Sequence, residues 1–178
     1  MKHQRHRKAR PPLGEEELKA LALAYVGRYA TSRAKLSDYL RRKVKERGWA
    51  DDQPPAIAAL TERFTELGYI DDRAFASARA ASLGRRGYGE RRVAEALRAA
   101  GIGEEDSTDA RDIAAEGARG AALRFARRRR IGPYAAAALD GPAQQKAFAA
   151  MLRAGHSIDI TREILNSAPG DVPEEDSF

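Results

Sequence analysis

The chain has 178 residues, no cysteine and three histidines, which excludes disulfide frames, thiolate nucleophiles and Cys-based zinc sites and argues against a His-ligated metal centre. Thirty-six alanines and fourteen leucines stand against eight isoleucines and four valines, a balance that favours helices and disfavours sheet. The net charge of +6 is gathered at the front, where residues 1–50 carry fourteen basic and five acidic side chains; this suits a polyanion or an acidic protein groove, and equally a merely solvated surface.

No apolar run approaches the roughly 20 residues that span a bilayer, and no apolar stretch follows the basic N-terminus, so a cytosolic protein is expected. With alanine set aside, roughly 40 larger apolar residues remain, enough for several thin cores in series rather than one thick one.

Met1 to Pro12 (MKHQRHRKARPP) is basic, polar and without apolar periodicity, so residues 1–14 read as a disordered basic tail. Glu15, Glu16 and Glu17 suit the positive end of a helix whose stripe is Leu18, Leu21, Ala22, Tyr25 and Tyr29. Ser32 is positioned to cap a second helix with Leu36, Leu40 and Val44, ended by a left-handed Gly48. Pro54 and Pro55 suit the first turn of a third, carrying Ile57, Leu60, Phe64 and Leu67 and stopping at Gly68. Together these make a three-helix unit over 15–69.

Asp71 is placed to cap the next helix, flanked by Ile70 and Phe75 as a hydrophobic staple, and Gly84, Gly87 and Gly89 break it. Val93, Ala96, Leu97 and Ala100 mark a helix closing on Gly101, and helical sequence resumes at Asp109 through Ile113, Ala118 and Phe125, interrupted by Gly132 and Pro133. A helix from about Pro142 carries Phe148, Met151 and Leu152 and ends at Gly155; a last one carries Thr161, Ile164 and Leu165. The phrases Val44-x3-Gly48, Leu97-x3-Gly101 and Met151-x3-Gly155 recur at nearly even spacing and suggest tandem units, the second over 70–117 and the third over 118–168. Residues 169–178 read as an acidic tail.

Few residues suggest chemistry. Asp71-Asp72 is explained by helix capping, because adjacent helical carboxylates do not converge on a metal. Gly87-Tyr88-Gly89 lacks the third glycine and preceding strand of a dinucleotide loop. No Walker loop, nucleophile elbow or His-based triad can be assembled, so no catalytic residue, cofactor or metal is expected.

Binding clusters are better defined. Arg85, Arg86, Tyr88, Arg91 and Arg92 surround a glycine-bent turn, a combination that grips phosphates or an acidic surface, although Arg91 and Arg98 are also spaced to pair with Glu95. Arg127, Arg128, Arg129 and Arg130 repel one another unless an anion lies nearby. Arg41, Arg42, Lys43, Lys45 and Arg47 form a similar cluster. Tyr25, Tyr29 and Trp49 are expected in the core.

Gly68-Tyr69-Ile70-Asp71-Asp72-Arg73-Ala74-Phe75-Ala76 resembles the GYLDDxxFA phrase of the RecX family, regulators of the RecA recombinase. Gly87 to Ile102, with Arg92, Val93, Glu95, Leu97 and Gly101, is similar to that family's second phrase, and Met151-Leu152-Arg153-Ala154-Gly155-His156 to its closing one, with His156 in place of the usual aromatic. The resemblance covers about residues 15–168. It implies an all-α fold of tandem three-helix units forming an elongated, curved monomer. It also implies binding in the groove of the RecA filament on single-stranded DNA, opposing filament growth, ATP turnover, strand exchange and repressor cleavage. Which arginines make contact is not fixed by its motifs; the sequence nominates Arg41, Arg42, Lys45, Arg85, Arg86, Tyr88, Arg91, Arg92 and Arg127 to Arg130. A basic helical protein that binds DNA without RecA is the alternative.

Overall fold

The computed structural model describes residues 11–172; the expected tails fall partly outside that range. Among the described residues all regular secondary structure is helical: α1 (Glu15–Val26), α2 (Arg33–Arg47), α3 (Ile57–Glu66), α4 (Asp72–Arg85), α5 (Glu90–Arg98), α6 (Thr108–Glu116), α7 (Ala118–Arg129), α8 (Gly141–Arg153) and α9 (Ile158–Asn166). No described helix is long and apolar enough to cross a membrane. The chain parts into two compact units, one ending at Asp71 and one beginning at Asp72.

Unit 1 packs α1, α2 and α3 around Leu18, Leu36, Leu40, Ile57, Phe64 and Ile70. The Ser32 hydroxyl caps α2 by accepting from the Lys35 N–H at 3.3 Å. Pro54 and Pro55 precede α3 instead of entering its first turn, Ala56 being the residue before it. The segment 11–14, counted with the tail from its polarity, belongs to this unit. Leu13 is fully buried, its N–H bonds the Gly48 carbonyl, its carbonyl accepts from Ala50, and the Arg47 guanidinium clasps the Pro11 carbonyl. One large apolar side chain is enough to order so short a segment when a loop backbone is waiting to pair with it.

Unit 2 holds two cores. One gathers Ala76, Ala80, Leu83, Val93, Leu97, Ile102 and Ala110 from α4, α5 and α6 and the loops beside them; the other gathers Leu123, Phe125, Ile131, Met151 and Ile164 from α7, α8, α9 and the loop after α7. Tyr88 packs against both. Gly117 ends α6 and opens α7, so the continuous helix suggested for 109 onward is two.

Glycines join these two cores. The free N–H groups at the start of α5 meet the free carbonyls at the end of α8: Gly89 N–H donates to Ala154 O at 2.9 Å and Arg91 N–H to Gly155 O at 3.2 Å. A Cβ on Gly89 would lie 2.4 Å from the Gly155 oxygen, and one on Gly155 would lie 2.5 Å from Arg92 N, so neither position accepts a side chain. The approach of two backbones at helix ends fuses helices 72–116 and 118–166 into one body.

The recurring apolar-x3-Gly phrase has a local cause. At Leu97/Gly101 and Met151/Gly155 the glycine takes a positive φ, and the next N–H returns to the carbonyl of the apolar residue, Ile102 to Leu97 at 3.1 Å and His156 to Met151 at 3.2 Å. Phe64/Gly68/Tyr69 and Leu83/Gly87/Tyr88 close α3 and α4 in the same way. At Gly48 φ is also positive, but ψ is 172° rather than left-handed helical, and its N–H bonds Val44 O. The phrase therefore marks a way of ending helices.

Candidate functional site

The Arg85–Arg92 turn and the Arg127–Arg130 run come together in part. Arg86, Tyr88, Arg128 and Arg129 line an open cleft of about 500 Å³ in unit 2, joined by Phe125 of α7 and by Ala150, Arg153 and Ala154 at the end of α8. Four arginines contribute to it, and among the described residues no acidic side chain lines the space.

Three of the four are placed by packing. Arg86 stands 5.4 Å from the centroid of the Tyr88 ring; Arg128 and Arg129 stand 5.4 and 5.7 Å from that of Phe125. Arg128 also donates from Nη1 to Arg86 O at 2.6 Å, and Arg124, one turn earlier on α7, donates from Nε to Gly84 O at 3.1 Å. Two cations of α7 thus satisfy carbonyls at the C-terminus of α4, where the helix dipole is negative. Consecutive helical residues are about 100° apart, so a run of four arginines spreads around the helix and only Arg128 and Arg129 of it reach the cleft.

Beneath the cleft, His156 is 2% exposed, meets Phe125 edge-on at 5.5 Å, and places Nε2 3.2 Å from Gly87 O. A carbonyl partner requires a proton on that nitrogen. Burial holds the imidazole below its ordinary pKa, with the Gly87 hydrogen bond opposing the shift. His156 therefore links the Phe125 platform to the backbone of the turn that carries Arg86 and Tyr88. Tyr88, read from the sequence as an exposed aromatic among arginines, is instead half-buried across two cores, with only part of it facing the cleft.

The other nominated residues lie elsewhere. Arg85, Arg91 and Arg92 are exposed and outside the cleft lining, and Arg92 is paired with Glu95 at 3.0 Å. Arg127 is exposed in the last turn of α7, and Arg130 caps that helix with a left-handed φ of 54°. Arg41, Arg42 and Lys45 are on α2 in unit 1; Arg41 pairs with Asp38 at 3.4 Å and Arg42 with Glu46 at 3.6 Å. Tyr25 and Trp49 pack partly buried against the first core, whereas Tyr29, expected in the core, is 52% exposed because it lies past the end of α1. Sequence reasoning did not nominate Phe125 or Arg153; the second sits two residues before the helix-ending Gly155, a position that gains meaning only when the α8 terminus meets the α5 start. No three His, Asp or Glu side chains cluster to hold a metal among the described residues.

Comparison with known proteins agrees with this architecture. Residues 71–110 match the family model of the RecX second three-helix domain. The chain is 31% identical to a regulatory protein RecX of Myxococcus xanthus, over 85% of this chain and 86% of the relative, and 31% identical to one of Agrobacterium fabrum, over 73% and 71%. The crystal structure of RecX from Lactobacillus salivarius superposes with a TM-score of 0.59 at 20% identity, covering 84% of this chain and 92% of that one, and so shares the fold. Identity of 31% along most of its length, with the matching second three-helix domain, places this chain in the RecX family of regulatory proteins.

Proposed function

We propose that the protein is an inhibitory modulator of RecA. It acts in the cytoplasm as a monomer, by binding rather than catalysis, and uses no cofactor. It lodges in the groove of the RecA filament on single-stranded DNA and limits filament growth, ATP hydrolysis, strand exchange and repressor cleavage, and through these DNA repair and the SOS response. The observation that carries the reading is the cleft whose described lining holds four arginines and no acidic residue, where Arg86, Arg128, Arg129 and Arg153 form a cationic surface suited to acidic side chains of the filament or to its DNA. Arg86, Arg128 and Arg129 are held on aromatic rings, so little side-chain entropy is lost when an anion arrives.

The test is RecA-driven ATP hydrolysis on single-stranded DNA. Arg128 also supports the end of α4, so the informative variant reverses Arg129 and Arg153, which no such contact ties to the fold. Wild type slows hydrolysis. The Arg129→Glu, Arg153→Glu protein keeps its helical circular dichroism and needs at least about tenfold more protein for the same effect. Undiminished inhibition by this variant removes the cleft from the interface, and a wild type without effect on hydrolysis removes the RecA reading.

A further inference from the structure

Unit 1 holds an aromatic cluster for which the cleft has no use. Tyr25 of α1 and Tyr39 of α2 stack with centroids 4.3 Å apart and planes at 21°. Tyr29 tilts against Tyr25 at 5.3 Å while leaving half of its own surface in solvent. Arg42 and Lys43 stand 5.7 and 5.8 Å from the centroid of the Tyr39 ring. Lys43 lies one turn after Tyr39, so the two share a stripe of α2. One carboxylate, Glu46, serves both Arg42 and Lys43, at 3.6 and 2.6 Å, which leaves that pair of cations with a net positive charge.

We propose that this cluster is a stacking site for single-stranded nucleic acid, taking a base against the exposed part of Tyr29 and the neighbouring phosphates on Arg42 and Lys43. An exposed tyrosine beside a stacked pair offers a flat π surface that any base covers, while cations at the edge of the same cluster meet the backbone. An acidic protein segment would engage the cations and leave the exposed ring without a role. Arg42 and Lys43, already resting near the Tyr39 ring, lose less freedom on meeting phosphate than unsupported side chains. This site requires neither RecA nor the unit 2 cleft, so its success or failure is read separately from the regulatory function proposed above.

The experiment measures anisotropy of a labelled thymidine oligonucleotide with the full chain and no RecA, alongside an abasic strand of equal length. Tyr29→Ala weakens binding of the thymidine strand about tenfold, and Tyr29→Phe, which keeps the ring, stays within about twofold of wild type. Wild type binds the abasic strand about tenfold more weakly than the thymidine strand, and Tyr29→Ala causes no further loss on it. Equal affinity for the two strands, undiminished binding by Tyr29→Ala, or no binding by wild type overturns the proposal; the first of these outcomes would assign the face to phosphate or to acidic protein alone. The two-strand comparison uses wild-type protein, so equal affinity overturns the proposal even where a substitution disturbs α1.

Discussion

On α2 of unit 1, Arg41 is paired with Asp38, and Arg42 and Lys43 share Glu46; around the cleft of unit 2, Arg86, Arg128 and Arg129 rest on Tyr88 and Phe125 with no acidic residue among the described lining. The charge count points the other way. Residues 1–50 hold most of the positive excess, whereas residues 111–178, which supply most of the cleft, carry ten basic and nine acidic side chains. A surplus of charge therefore does not locate a site. A cation with an acidic residue three or four positions away on its own helix has part of its charge offset, while those that Arg86, α7 and α8 bring together have no acidic neighbour in the described lining. Unit 1 accordingly offers rings first and charge second, and unit 2 offers charge supported by rings.

The contrast is open to attack through stability, because the single tryptophan, Trp49, packs against the unit 1 core and reports that unit alone. The largest effect is expected for Gly89→Ala, whose new methyl collides with the Gly155 backbone; overpacking against backbone that cannot yield costs about 3 kcal/mol. In urea, the helical signal of unit 2 melts early while the Trp49 transition stays in place. Joint movement of the two transitions would show the units to be one cooperative body. Ser32→Ala is the reciprocal change: loss of the α2 cap costs about 1 kcal/mol and shifts the Trp49 transition while sparing unit 2.

The smallest effect is on pH dependence and belongs to unit 2. His156 has its folded-state pKa below the ordinary 6.5, so the native state binds fewer protons than the unfolded one. Its contribution is whole above about pH 6.5, declines as pH falls toward the lowered folded value, and then levels off. Urea midpoints for the unit 2 signal should therefore fall on mild acidification, and His156→Phe should lose this dependence. A dependence that persists in His156→Phe assigns it to another group.

Much of the fold was legible because its signals are local. Ser32 as a cap, the helices around Leu36, Val93 and Ile164, and the breaks at Gly101, Gly132 and Gly155 all follow from properties of a few neighbouring residues. The helix-ending phrase was visible too, but its recurrence at Phe64 and Leu83 went unread because those copies fall outside the even spacing. The site was legible only as arginine-rich stretches. Arg86, Tyr88, Arg128 and Arg129 were nominated together with Arg85, Arg91, Arg92, Arg127 and Arg130, and nothing in a linear run separates the two groups.

By itself the sequence determined an alanine-rich helical chain and most of the places where its helices stop, since periodicity and capping act over a few residues. Only the tertiary structure decided which cations share a surface. That outcome depends on two glycine backbones meeting at Gly89 and Gly155, on α7 arginines finding the carbonyls at the end of α4, and on Phe125 and His156 supporting them from below. These contacts join residues 31 to 69 positions apart, and their energy exists only once the helices have packed.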